Sequence, residues 1–212
     1  MPIDAVNTKL LQILALLYRQ DETDRVAIES KLLEQCKQSW RSAIQAEARR
    51  FGYIGPVSGP NYIDLAFAKA ECQLDSTSIV RTWNRDVERQ LVRLFNENPR
   101  GNRYYYIKNM EAWARQRATW KDPQISIKTE YTIVGYAKDR FYQENGMRGG
   151  LYMLVGPPPV CDECIDHMAM GVVGQEYVDR NPAPFHLKCT HTWQQIKGSV
   201  AYPPPNELWV GG

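Results

Sequence analysis

Two short runs near the C-terminal end carry residue types that can do chemistry together. Cys161 and Cys164 are separated by two residues, His186 and Cys189 by two more, and 21 residues lie between the pairs. Zinc prefers four soft or borderline ligands at the corners of a tetrahedron. Two Cys or His side chains spaced by two residues in a tight turn can fill two corners without distorting the backbone. The spacing therefore predicts a metal clip built from Cys161, Cys164, His186 and Cys189. His191, two residues beyond Cys189 on the same side of a strand, is the alternative to His186, and His167 is a weaker candidate. Three thiolates and one imidazole leave no corner open for water, so the expected role is structural zinc, not metal catalysis. Such clips contribute on the order of 10 kcal/mol to ordering the peptide around them.

The acids and bases beside the clip, Asp162, Glu163, Asp166 and His167, raise one catalytic alternative, a zinc-supported nuclease with His167 activating water. That chemistry needs a second His or Asn to hold a catalytic cation, and Met168 to Gln175 offers neither. No phosphate-binding glycine loop, nucleophile elbow or His-Glu-x-x-His pair is present. The expectation is a protein without enzymatic activity. Between Cys161 and His191 five acidic and two basic side chains give a local charge of −3, a poor match for phosphate.

Basic residues collect elsewhere. Residues 81–121 hold ten Lys and Arg against four Asp and Glu, interleaved with aromatics. Arg81, Arg85, Arg89 and Arg93 recur every four residues opposite the apolar series Val80, Trp83, Val87, Leu91 and Leu94. They form a candidate contact face for an acidic protein partner or for DNA; the bland reading is a solvated helix face.

The elements that must position these residues are mostly helical. Val6, Leu10, Ile13, Leu14 and Leu17 outline a first helix after Asp4, a plausible N-cap. Leu33, Cys36, Trp40, Ile44, Ala48 and Phe51 outline a second that should stop at Gly52. Residues 52–61, with three glycines and two prolines, predict a loop and hinge reaching to about residue 62. A third helix is expected from the capping cluster Asp75 to Ser78, and a fourth through Tyr106, Met110, Trp113 and Arg117. A fifth should run from Asp122-Pro123 to Asn145-Gly146 with Ile127, Tyr131, Val134 and Phe141 inward. Leu151 to Val155 and Thr190 to Ile196 read as strands flanking the cysteines. The expected fold is α+β and mostly α. A helical body spans 1–148, a small β and zinc module 149–198, and an extended proline-rich arm 199–212, whose Trp209 is a further candidate contact.

With 212 residues, 43% apolar, 24% charged and a formal charge of +2, the composition is that of an ordinary globular protein. The stretch Leu10 to Tyr18 is interrupted by Gln12 and lacks a basic n-region and a small-residue cleavage site, so neither a signal peptide nor a membrane span is expected. Five cysteines, three of them in the clip, do not make a secreted disulfide framework; Cys36 and Cys72 read as small buried hydrophobes.

Over residues 78–196 the chain resembles the phage head-morphogenesis family of minor head proteins typified by the Mu F protein. Three features carry the resemblance: a helix with Lys128-Thr129-Glu130 near its start and Glu144-Asn145-Gly146 at its end; a short strand followed by Cys161-x-x-Cys164 with Gly171 or Gly174 downstream; and His186-x-x-Cys189-x-His191. Thr82 to Asp86 and the Arg103 to Trp113 aromatic run are similar to the helices that precede the family's Thr-Glu helix. Leu187 stands where the family usually has proline and His191 where it has its last cysteine, leaving the fourth ligand open. The resemblance implies a few-copy structural protein of a tailed phage, made in the bacterial cytoplasm and built into the virion near the portal. Its partners would be portal, capsid or neck proteins, with packaged DNA a further contact.

Overall fold

A computed structural model describes residues 5–120, 122–158, 161–186 and 189–200; for residues 5–9, 118–120 and 122–126 it describes the backbone alone. The chain is α+β and mostly α. Five long helices come first: α1 (Ala5–Tyr18), α2 (Glu22–Phe51), α3 (Tyr62–Glu97), α4 (Arg103–Trp120) and α5 (Asp122–Glu144). They are followed by β1 (Leu151–Val155), α6 (Asp162–Ala169), β2 (Val173–Gly174), α7 (Gln175–Arg180) and β3 (Thr192–Gln195). Asp4 and the whole of 201–212, Trp209 included, lie outside the described residues.

The residues form two compact units, one of Met1–Lys31 with Cys72–Pro123 and the other of Leu32–Glu71 with Gln124–Gly212. The sheet and Cys161, Cys164 and Cys189 fall in the second unit, with most of α5 and residues 32–71.

In the first unit the core is Leu14, Trp83, Val87, Leu91, Leu94, Tyr106 and Met110. The α3 series and Tyr106 and Met110 of α4 are therefore where periodicity placed them. Helix α1 is rotated from expectation. Leu14 is buried and Leu10, Leu11, Ala15 and Tyr18 pack beside it, whereas Ile13 and Leu17 face solvent. The set 11, 14, 15, 18 is as good a helical stripe as 10, 13, 14, 17, and the partner decides between them. The Trp83 indole N–H donates to the Tyr18 carbonyl at 2.7 Å, which fixes the end of α1 over α3. Arg117, buried, lays its guanidinium 4.7 Å from the Trp83 ring and donates to Asp86 at 3.1 Å.

In the second unit α2 buries Cys36, Trp40, Ile44, Ala48 and Phe51 as expected, with Leu32 in place of Leu33. The helix closes at Gly52, whose φ of 80° lets Tyr53 N–H reach the Ala48 carbonyl at 2.8 Å. Helix α3 then starts at Tyr62, not near Asp75. Asn61 Oδ1 accepts from the N–H groups of Ile63 and Asp64 at 2.8 and 3.0 Å, and Asp64 Oδ2 accepts from Asn61 N–H at 3.0 Å. That reciprocal cap is a true helix start. Ser76 and Thr77, which looked like caps, instead donate their hydroxyls back to the Gln73 carbonyl inside the helix.

Helix α5 ends at Asn145-Gly146 as expected, with Gly146 at φ 67°. Its buried stripe is Thr129, Ile133, Ala137 and Phe141, so of the four residues expected inward only Phe141 is fully buried. Tyr142, also buried, faces Phe51 and Tyr152. The three strands form an antiparallel sheet in the order β2-β1-β3, with Tyr152 opposite both Val173 and Gln195 and Val155 opposite Thr192. Alternation along β1 sends Tyr152 and Leu154 inward and exposes Leu151 and Met153.

Candidate metal centre

The cysteines are placed by local backbone chemistry. Cys161 is the N-cap of α6, extended at φ −87° and ψ 164°, and its Sγ accepts from Cys164 N–H at 3.3 Å. The Cys-x-x-Cys spacing is thereby wound into the first turn of a helix, whose unpaired N–H groups favour negative sulfur. On the opposite side, Cys189 N–H donates to the His186 carbonyl at 3.0 Å, a tight turn that brings the second pair together. His191 immediately precedes β3, and the sheet pairing of Val155 with Thr192 brings Gly156 against its ring.

These turns converge. The ligand atoms of Cys161, Cys164 and His186 lie within 4.8 Å of one another, as do those of Cys164, Cys189 and His191, so two triplets share Cys164. Within them Cys161 Sγ is 2.7 Å from His186 Nε2, Cys164 Sγ is 3.5 Å from Cys189 Sγ, and Cys189 Sγ is 3.9 Å from His191 Nδ1. These five residues could hold a metal ion, and His186 and its alternative His191 are both at the site. Cys164, Cys189 and His191 are buried, while Cys161 and His186 are half-buried.

Burial sets the electrostatics of the site. Burial, with the Cys161 and Cys189 sulfurs alongside, pushes the Cys164 thiol well above its ordinary value. A divalent ion reverses that ordering by stabilising thiolate. Burial, helped by the nearby His186, pulls His191 below the ordinary imidazole value, which favours the neutral ring that has a lone pair to donate. His191 Nε2 is buried without a hydrogen-bond partner among the described residues, while Nδ1 is the nitrogen that faces the Cys189 sulfur.

His167 does not join the cluster. Its ring stacks on Phe185 at 3.9 Å, its Nδ1 is 3.0 Å from the Tyr177 hydroxyl, and Trp193 packs edge-on. Asp162, Glu163 and Asp166 are exposed along α6. Arg81, Arg85, Arg89 and Arg93 are all exposed on α3, and Arg93 pairs with Glu97 at 2.8 Å.

Sequence reasoning missed a buried polar cluster beside the sheet. Glu47, 1% exposed, accepts from the Tyr142 hydroxyl at 2.9 Å and pairs with Arg50 at 2.7 Å. Lys138 lies 3.9 Å from the same carboxylate and donates to Thr192 Oγ1 at 2.9 Å. Gln194 reaches Glu47 at 3.3 Å, so β3 is tied to α2 and α5 by polar side chains. A cavity of about 250 Å³ lies alongside, lined by Tyr136, Lys138, Asp139, Tyr142, Tyr152 and Trp193 among others. Glu47 sits on the apolar stripe of α2, between Ile44 and Phe51, and that position was the one signal available in the sequence.

Fold and site together define a helix-rich α+β chain with a sheet-anchored Cys/His cluster able to hold a metal ion. Comparison of the chain with family models, curated proteins and solved structures gave no match. No helix among the described residues is long and apolar enough to cross a membrane.

Proposed function

We propose that the chain is a structural protein of a tailed-phage virion, of the minor-head or head-morphogenesis type, acting by protein-to-protein attachment near the portal or head-tail junction. The observation that carries this reading is the convergence of Cys161, Cys164, Cys189 and the two histidines into two triplets that share Cys164, after a helix that ends at Asn145-Gly146 and a short strand. That succession is the one through which the sequence resembles the head-morphogenesis family. The ion is zinc in this reading, because three thiolates with imidazole are its preferred structural donors, and its role is to brace the sheet, without catalysis. A sheet braced in this way suits a part that is built into a particle in few copies. The protein would be made in the bacterial cytoplasm and end in the virion, with portal, capsid or neck proteins as partners.

The contact surfaces are the arginine face of α3 and the arm carrying Trp209. Arg81, Arg85 and Arg89 are exposed and make no ion pair among the described residues, which also favours a contact with packaged DNA. A salt titration separates the two: phosphate contacts lose affinity linearly in log-log salt, and apolar docking changes little.

The deciding experiment deletes the gene from the phage or prophage that carries it and analyses purified particles by mass spectrometry. The expected result is a few copies of the chain per wild-type particle, and loss of infectious particles on deletion. Full particle yield without the gene, together with absence of the chain from wild-type virions, would refute the reading. Removing residues 201–212 should weaken incorporation while leaving the helical signal intact.

A further inference from the structure

The two histidines at the cluster are not equivalent. We infer that the metal is held by Cys161, Cys164, Cys189 and His191, and that His186 stands outside the coordination sphere as a hydrogen-bond donor to the Cys161 sulfur. The assignment rests on reading the cluster as a metal clip, and it reverses the order in which the sequence ranks the two histidines.

Distances separate the roles. Zn–S bonds of about 2.3 Å and Zn–N bonds of about 2.0–2.1 Å put two tetrahedral ligands about 3.8 Å apart when both are sulfur, and about 3.6 Å apart when one is nitrogen. Cys164 and Cys189 at 3.5 Å, and Cys189 and His191 at 3.9 Å, are each within about 0.3 Å of those edges. Cys161 and His186 at 2.7 Å are about 0.9 Å inside theirs, and Cys161 groups within 4.8 Å with Cys164 and His186 and not with Cys189 and His191, so its sulfur must move towards those two to complete the set. Two ligands of one ion cannot sit so close without collapsing the angle between them, whereas an N–H directed at a thiolate closes the gap.

Burial points the same way. Cys164, Cys189 and His191 are at most 1% exposed, and it is His191 Nδ1 that faces the Cys189 sulfur. Gly156 leaves room for that ring and no more. The space fits the His191 ring closely, and a cation beside Cys164 and Cys189 would take the Nδ1 lone pair. His186 is half-buried, and its ring nitrogen already meets the Cys161 sulfur. Donors outside the coordination sphere orient a ligand and tune its basicity, and their loss weakens metal affinity by about 10–100-fold.

The test loads the full chain with cobalt(II) and reads the sulfur-to-metal charge-transfer band, with zinc affinity measured by chelator competition. His191→Cys should raise the band by about one third, as three thiolates become four, with retention of a tetrahedral spectrum. His186→Cys should leave the band unchanged. His186→Ala should keep one metal per chain and the same spectrum, but bind about 10–100-fold more weakly. The reverse pattern, with His186→Cys adding charge transfer and His191→Cys adding none, would overturn the assignment. Wild-type chain that takes up neither metal would sink the clip reading itself, a different failure seen before any variant is made. Because His191→Ala opens a hole in a buried site, the cysteine variant carries the argument even if the alanine variant fails to fold.

Discussion

Replacing Gly156 with alanine tests whether His191 is held by packing from a residue that is itself no ligand. A Cβ at that position would lie 2.6 Å from His191 Cδ2, 2.8 Å from Cγ and 2.9 Å from Cα, where ordinary contact begins at 3.4 Å. The ring would have to retreat by about 0.8 Å to restore normal contact. The Cα cannot retreat alone, because the next residue, Thr192, is paired with Val155 in the sheet. Overpacking of this kind costs about 1–3 kcal/mol, and a metal ligand tolerates displacement of only about 0.5 Å. If most of that cost falls on the loaded site, affinity drops about 10–100-fold, at about 1.4 kcal/mol per decade. The assay is zinc competition against a chromophoric chelator, with Gly174→Ala as the control because nothing lies within 4 Å of a Cβ there. Gly156→Ala protein with wild-type zinc affinity and wild-type unfolding would refute the packing argument and remove one support for His191 as a ligand.

Other outcomes follow from the same geometry. Cys164→Ser, or treatment with a strong chelator, should lower the melting temperature while circular dichroism keeps most of the helical signal, since the long helices have cores of their own; an unchanged melt would count against a structural ion. Tyr142→Phe deletes a donor to the buried Glu47 carboxylate and an acceptor for Arg50 and the Gln195 N–H; urea unfolding should show a loss of about 1.5–3 kcal/mol, and a change under 0.5 would contradict it. Burial, with Glu47 nearby, pushes the Tyr142 phenol far above its ordinary value of 10.0, and burial, with Asp139 nearby, pushes Tyr152 up to about 12. Both groups keep their protons in the folded state after the unfolded chain has lost them, so stability is intact below pH 10 and should fall as pH rises beyond it. Lys138, held below its ordinary 10.5 by burial, acts in the opposite sense just under that pH. Comparing Tyr152→Phe with wild type isolates the tyrosine: the variant should lose less stability between about pH 10 and 12, and parallel curves would show the shift to be absent.

What could be read from the chain alone was whatever depends on near neighbours. The stops at Gly52 and Gly146 follow from the backbone freedom of one residue, the inward series of α2 and α3 from a 3.6-residue period, and β1 from five apolar residues between glycines. The Cys-x-x-Cys pair likewise encodes its own turn, because the Cys161 sulfur caps the helix that carries Cys164. Choices between equivalent local solutions were left open. Helices α1 and α5 each offered two stripes, and only the packed partner selects one, since an isolated helix has no preference among faces of similar apolar content. The start of α3 was hidden because Ser76 and Thr77 can cap a helix or bond back within it with the same hydroxyl. The ranking of His186 over His191 came from spacing, a one-dimensional measure. Burial and edge lengths are three-dimensional, and only the sheet that sets Gly156 against His191 brought them to bear. Glu47 shows the same limit: a carboxylate on an apolar stripe is a liability until Tyr142, Arg50 and Gln194 arrive from α5, its own helix and β3 to satisfy it.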